Sequence, residues 1–166
     1  MIVLDVRNEY EHRIGKFKNA MTFNMRQFSD LPKHLEPALP GLRNSQVLMY
    51  CTGGIRCERA SAYLKQCGVE DVFQLEDGIC SYMDTYPEGA QFEGKNFVFD
   101  KRMAVASNNP KVLSNCEFCP VEYDTYDDGR RCTHCRSLVL ACPSCQESAG
   151  GLYRCINCTS AGRASV

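Results

Sequence analysis

Along the first hundred positions, apolar residues gather in short runs separated by polar stretches. Ile2-Val3-Leu4-Asp5-Val6, Val47-Leu48-Met49-Tyr50 and Val72-Phe73-Gln74-Leu75 have the length of strands and are too short for helices. Between the second and third lie residues 58–67, in which Ala60, Leu64 and Cys67 share one helical face; Gly68 follows as a left-handed C-terminal cap. A strand, a ten-residue helix and a strand make a βαβ unit, which implies parallel strands and an α/β fold. Another helix is predicted over residues 29–35, capped by Ser29 or Asp30 and stopped by Pro37 and Pro40. The first strand begins at residue 2 with nothing ahead of it to cover an edge. That suits a sheet closed by a partner or, the preferred reading, a fragment of a longer protein.

The pattern changes after residue 103. Residues 104–115 read as a linker, because Asn108-Asn109-Pro110 breaks any periodicity. Residues 116–166 hold too few apolar side chains for a core of their own, and a segment of roughly 50 residues like this needs metal or disulfides to fold. Eight of the chain's 12 cysteines lie here, as the pairs Cys116/Cys119, Cys132/Cys135, Cys142/Cys145 and Cys155/Cys158. A two-residue gap lets both sulfurs of a turn reach one ion, so eight ligands make two sites of four, and soft thiolates in tetrahedral sets favour zinc. A disulfide framework is the alternative, but four repeats of this spacing suit two zinc ions better, in closed structural sites. The pairs can combine sequentially, 116/119 with 132/135 and 142/145 with 155/158, or interleaved, 116/119 with 142/145 and 132/135 with 155/158. His134 reads as a bystander or supporting group.

Charge and composition exclude some partners. With 44% hydrophobic and 23% charged residues, the chain is an ordinary globular one, and its net charge of −1 supplies no field drawing it to nucleic acid or an acidic membrane. Nowhere do about 18 apolar residues run together, so no bilayer span is expected. The start, Met1-Ile2-Val3-Leu4-Asp5, has no secretory pattern, which points to the cytoplasm or nucleus. Between residues 110 and 166 basic and acidic residues balance; Arg130, Arg131 and Arg136 form a small basic group, and protein contact or stabilisation is the expected role.

The stretch richest in chemistry is Tyr50-Cys51-Thr52-Gly53-Gly54-Ile55-Arg56-Cys57, between a buried strand and a helix start. The strand brings Cys51 to the carboxyl end of the sheet, where ligand sites of α/β proteins lie. Gly53 and Gly54 let the backbone curl with its N–H groups inward, so Thr52, Gly53, Gly54 and Ile55 are candidate anion-binding positions. The helix dipole and Arg56 add positive potential, and all three favour thiolate over thiol. Cys57 is a candidate resolving thiol that attacks a Cys51 persulfide or forms a disulfide with it; otherwise it packs like a small serine or alanine. Cys67, on the apolar helix face, reads as core.

This segment resembles the rhodanese active-site loop. Leu4-Asp5-Val6-Arg7-Asn8-Glu9-Tyr10-Glu11, residues 14–20, and Leu75-Glu76-Asp77-Gly78 resemble other rhodanese signatures, with departures at Arg13, Lys16 and Asp77. Cysteine phosphatases share the strand-loop-helix logic but carry arginine six positions after the cysteine; here that position is Cys57, and Arg56 comes one residue early. More narrowly, residues 49–64 and Phe97-Val98-Phe99-Asp100-Lys101-Arg102 are similar to blocks of the bacterial tRNA uridine hydroxylases and their eukaryotic rhodanese-domain relatives. The resemblance implies a rhodanese-like parallel sheet flanked by helices over residues 1–103, lacking its first strand and helix, followed by the 104–115 linker and the 116–166 zinc module. It also implies oxygen-dependent 5-hydroxylation of a wobble uridine, with tRNA as a partner of the full-length protein. The resemblance also implies that bacterial members end with just the first two cysteine pairs, which favours sequential ligation. Two functions follow as expectations. In the first, Cys51 carries sulfane sulfur from thiosulfate or a protein persulfide, with Arg56 and the loop amides holding the anion. In the second, an inactive rhodanese-like module contacts a partner through its zinc tail; the intact Cys51 favours the first.

Overall fold

The structure, a computed structural model, describes residues 1–163, with side chains through residue 159. In chain order the elements are β1 (Ile2–Asp5), α1 (Glu9–Ile14), β2 (Gly15–Phe17), α2 (Leu31–Leu35), α3 (Leu39–Leu42), β3 (Val47–Tyr50), α4 (Ile55–Gln66), β4 (Val72–Gln74), α5 (Gly78–Thr85), β5 (Phe92–Phe97), β6 (Ala104–Ala106), α6 (Pro143–Ala149) and α7 (Ile156–Arg163). The three apolar runs become a parallel sheet in the order β1-β3-β4, with Asp5 opposite Tyr50 and Val47 opposite Val72. The α4 crossover makes β3 and β4 parallel, as the βαβ pattern requires. Among the described residues no helix is long and apolar enough to cross a membrane.

Alternation along β3 sorts its side chains onto two faces. Val47, Met49 and, just beyond the strand, Cys51 join a core with Leu4, Leu31, Leu35, Leu42 and Leu64. Tyr50 points the other way, into a cluster with Phe17, Ile79 and Phe92. A second, antiparallel sheet, β2-β5-β6, closes that side.

Three details differ from the sequence reading. First, α4 starts at Ile55 rather than residue 58, because Gly54 takes φ +85 and turns the chain directly into the helix. Second, Pro37 and Pro40 do not end the helical region. Each occupies an early position of a new segment, a 3₁₀ turn (Glu36–Ala38) and α3, where a missing N–H leaves no bond unmade. Third, the segment read as a linker opens with β6, paired to β5 through Phe97 and Ala104. The tail then packs on the sheet through Ile14, Phe97, Tyr126, Leu138 and Leu140.

One polar network lies inside this apolar frame. Arg7 is fully buried and binds Asp5 twice, Nε to Oδ1 at 2.9 Å and Nη2 to Oδ2 at 2.7 Å. The Tyr50 hydroxyl donates to the same carboxylate at 2.6 Å and accepts from the Phe17 amide at 3.2 Å, while Arg7 also donates to the Gly15 carbonyl at 2.7 Å. The network therefore ties β1 and β3 of one sheet to β2 of the other. Removing one partner leaves a buried charge exposed to nothing that compensates it. Arg7→Ala should cost roughly 3–5 kcal/mol and Tyr50→Phe about 1–2 kcal/mol, read as a shift in the urea midpoint at unchanged slope.

Candidate active site and metal centres

β3 ends at Tyr50, and the next residue, Cys51, lies at the carboxyl edge of the sheet beneath the first turn of α4. Its sulfur accepts a hydrogen bond from the Gly54 amide at 3.1 Å. The Cys57 thiol donates to it as well, and that bond is the largest influence lowering the Cys51 pKa, to about 5. Burial opposes the shift; the amides of Cys57 and Arg56 and the Arg56 charge add to it. Cys57 moves the other way, its proton held by the bond to Cys51 and by burial. The two cysteines thus form one unit, a thiolate and the thiol that solvates it.

A second helix supports the loop from below. The amides of Ile79 and Cys80, in the first turn of α5, donate to the carbonyls of Cys51 and Thr52 at 3.0 and 3.1 Å. Gly78 approaches so closely that a Cβ there would lie 2.4 Å from the Cys51 carbonyl oxygen. Asp77, which departs from the rhodanese glycine pair, adopts the left-handed conformation, φ 52, that explains why glycine suits the position.

Of the candidate anion-binding residues, Gly54 directs its amide at the sulfur, whereas the Thr52 hydroxyl turns away and donates to Glu11 at 3.1 Å. Gly53 and Ile55 face solvent, Ile55 at 75% exposure. Arg56 does not extend freely over the loop. Glu11 grips it with both oxygens, at 2.6 and 2.7 Å, and Phe99 lies 5.5 Å from its guanidinium carbon. Glu11 was not singled out from the sequence. Its signal was the acidic residue of the Glu9-Tyr10-Glu11 pattern three positions after the helix cap Asn8, whose amide it accepts at 3.1 Å.

The tail carries two groups of four cysteines, Cys116/Cys119/Cys142/Cys145 and Cys132/Cys135/Cys155/Cys158, with all sulfurs of a group within 4.8 Å. The pairing is interleaved, and the sequential scheme is corrected. The Cys116 turn bonds to the Leu140 carbonyl through the Glu117 amide at 2.8 Å, and Cys142 donates its amide to the Cys116 sulfur at 3.3 Å. The Cys132 turn instead bridges to Tyr153, with Thr133 donating to the Tyr153 carbonyl at 2.8 Å. Residues between Arg131 and Leu138 fold back as a hairpin and carry the chain from one group to the other. Both groups fit a metal: zinc with four thiolates has sulfur–sulfur edges of about 3.8 Å, and Cys119–Cys142 and Cys135–Cys155 stand at 3.5 and 3.6 Å. Amides from Phe118 and Cys142 directed at the Cys116 sulfur suit a thiolate ligand.

Helix α1 joins the tail to the loop. Glu11 faces the loop, while Glu9 accepts from Asn157 at 2.8 Å and Arg13 donates to Glu117 at 2.9 Å. Glu117, whose side chain is wholly buried, also accepts the amides of Leu140 and Ile156 at 3.1 and 3.0 Å. Arg26 adds a contact to the Cys158 sulfur at 3.9 Å.

The rhodanese-like domain family matches residues 1–85, half of the chain. The chain belongs to the rhodanese-like domain family. A second family, described as rhodanase C-terminal, matches residues 93–160. Over its whole length the chain is 44% identical to the rhodanese-like domain-containing protein 6 of Arabidopsis thaliana, of which it covers 29%. It is 42% identical over 91% of its length to the tRNA uridine(34) hydroxylase of Cytophaga hutchinsonii, covering 48% of that protein. To the tRNA uridine(34) hydroxylase of Leptospira interrogans it is 44% identical over 90%, covering 41%. The chain therefore spans less than half the length of each of these relatives.

The depressed Cys51 pKa sets a pH dependence. Thiolate forms as pH rises through the folded value, so iodoacetamide alkylation of Cys51 should climb with a midpoint near 5 and level off above it. Cys57→Ala removes the main hydrogen bond and should move that midpoint upward by at least one unit, measured by peptide mass spectrometry across pH; an unchanged midpoint would show that the amides and Arg56 suffice.

Proposed function

We propose that this chain is the reacting core of a rhodanese-type enzyme, in which Cys51 takes up sulfane sulfur as a persulfide. The full protein would act on the wobble uridine of tRNA, as the names of its bacterial relatives suggest. The observation that carries the reading is the Cys51 sulfur, stabilised as a thiolate at the carboxyl edge of a parallel sheet by the Gly54 amide and the Cys57 thiol. With thiosulfate as donor, the thiolate attacks the outer sulfur. A new S–S bond forms, the old one breaks, and sulfite leaves with the bonding electron pair. The persulfide keeps one negative charge on its outer sulfur, within reach of the loop amides, with the Arg56–Glu11 pair alongside.

Cys57 is proposed to resolve that persulfide. Its sulfur bonds to the Cys51 sulfur, the outer sulfur departs with the Cys57 proton as hydrosulfide, and a Cys51–Cys57 disulfide remains. An inactive interaction module is the weaker reading, because a docking surface has no use for a buried thiolate. Zinc is the metal proposed for both cysteine groups, since four soft sulfur donors at tetrahedral spacing with amide support suit it best. When bound it would cross-link the tail; the residues that act on substrate lie elsewhere.

Mass spectrometry after incubation with thiosulfate tests the sulfur chemistry. Cys51→Ser should abolish the added sulfur, and Cys57→Ser should retain it and accumulate the persulfide; equal loss in both would overturn the assignment of roles. Elemental analysis tests the tail. The wild-type chain should hold two zinc ions, and the double variant Cys116→Ser/Cys142→Ser should keep one, whereas sequential ligation would leave none.

A further inference from the structure

A cleft of about 1130 Å³ opens between the sheet domain and the tail, lined by both. Its volume exceeds by far what a thiosulfate-sized donor needs, and it is that of a groove for a few nucleotides. We infer that this cleft receives an unpaired stretch of RNA, with Phe99 as the surface on which a base stacks and Lys101 and Arg136 as phosphate-facing cations on either side. The inference rests on the reading of the chain as an RNA-modifying enzyme and adds the place and residues of recognition.

Phe99 carries most of the argument. The residue is 68% exposed, a placement with no burial benefit for so large an apolar side chain. It is nevertheless not loose. Phe97 holds it edge-on at 5.3 Å, and Phe97 in turn packs against Tyr10 and Tyr126. The Arg56 guanidinium sits 5.5 Å from the Phe99 ring centroid, so the ring joins the cleft to the nucleophile loop. The Phe97 carbonyl lies 3.4 Å from the hydroxyl of Thr52, the residue next to Cys51. A base stacked on Phe99 therefore rests beside the loop that holds the reacting sulfur. Aromatic platforms of this kind engage bases that are unstacked, which a duplex does not offer.

The charges divide in the same sense. Arg131 pairs with Asp128 and Arg102 with Asp100, so those cations are already answered. Arg26 lies against the Cys158 sulfur. Lys101, from the sheet domain, and Arg136, from the tail, line the cleft, are exposed and form no ion pair among the described residues. The near balance of acidic and basic residues in the tail conceals this, because within the group Arg130, Arg131 and Arg136 internal pairing cancels the first two and leaves Arg136 over.

The test is fluorescence anisotropy of the whole chain with a labelled anticodon stem-loop RNA carrying an unpaired uridine at the wobble position. Phe99→Ala should weaken binding roughly tenfold. Arg136→Gln should weaken it and lower the slope of log affinity against log salt by about one. Lys65→Gln, at the exposed far end of α4, should change nothing, and circular dichroism of each variant checks the fold. Wild-type affinity in both cleft variants, equal competition by a blunt RNA duplex, or no RNA binding by the wild type would each overturn the inference. Persulfide loading of Cys51 in the same wild-type preparation separates the two readings. Loading with RNA binding insensitive to Phe99 sinks the cleft alone; Phe99-dependent binding without loading sinks the Cys51 chemistry alone.

Discussion

A carboxylate shut away from water, Glu11, is the constraint on which the site depends. Burying it requires compensation, and it finds this in both nitrogens of Arg56, the Thr52 hydroxyl and the Asn8 amide. Those partners come from Thr52 and Arg56 of the loop that follows Cys51 and from the cap of α1. Satisfying one buried charge therefore fixes where the loop begins, where α4 starts and how α1 lies across both. Because Arg56 is spent largely on Glu11, the thiolate relies first on Cys57. A free guanidinium would hold the sulfur's charge but would also attract any passing anion; a neutral thiol and a few amides hold it without that side effect.

The parallel sheet was legible because all three strands read as plain apolar runs, although only the central β3 is largely buried and β4 is an exposed edge, and α4 because its buried positions recur at helical spacing. The antiparallel half was not. β2 has three residues, and β5, Phe92–Phe97, places a glycine and charged residues among its apolar ones, so neither shows a clean period. At the site, Cys51, Gly54 and Arg56 stand out through glycine and charge next to a cysteine. What escaped was partnership. Nothing local says that Arg56 belongs to Glu11, 45 residues away, and the spacing that offered Cys57 as a thiol beside Cys51 does not say that it donates to the Cys51 sulfur and holds its charge. Spacing along the chain identified eight candidate ligands but not their grouping, since that follows from which backbone segments hydrogen bond to each other.

The tail is better described as a continuation of the sheet domain than as an appendage. Its Leu138 and Leu140 share an apolar cluster with Ile14 and Phe97, and its Glu117 anchors Arg13 of α1. A segment with little core of its own thus borrows one, and in return it walls one side of the cleft.

Interleaved cysteine groups have a consequence for how the tail comes into being. The first group cannot close until Cys145 has been made, and by then the chain has already passed through Cys132 and Cys135 of the second, which waits for Cys158. The two groups can therefore be completed only in succession, the first with Cys145 and the second with Cys158, and a chain cut between Cys135 and Cys142 ends with two half-sites rather than one finished centre.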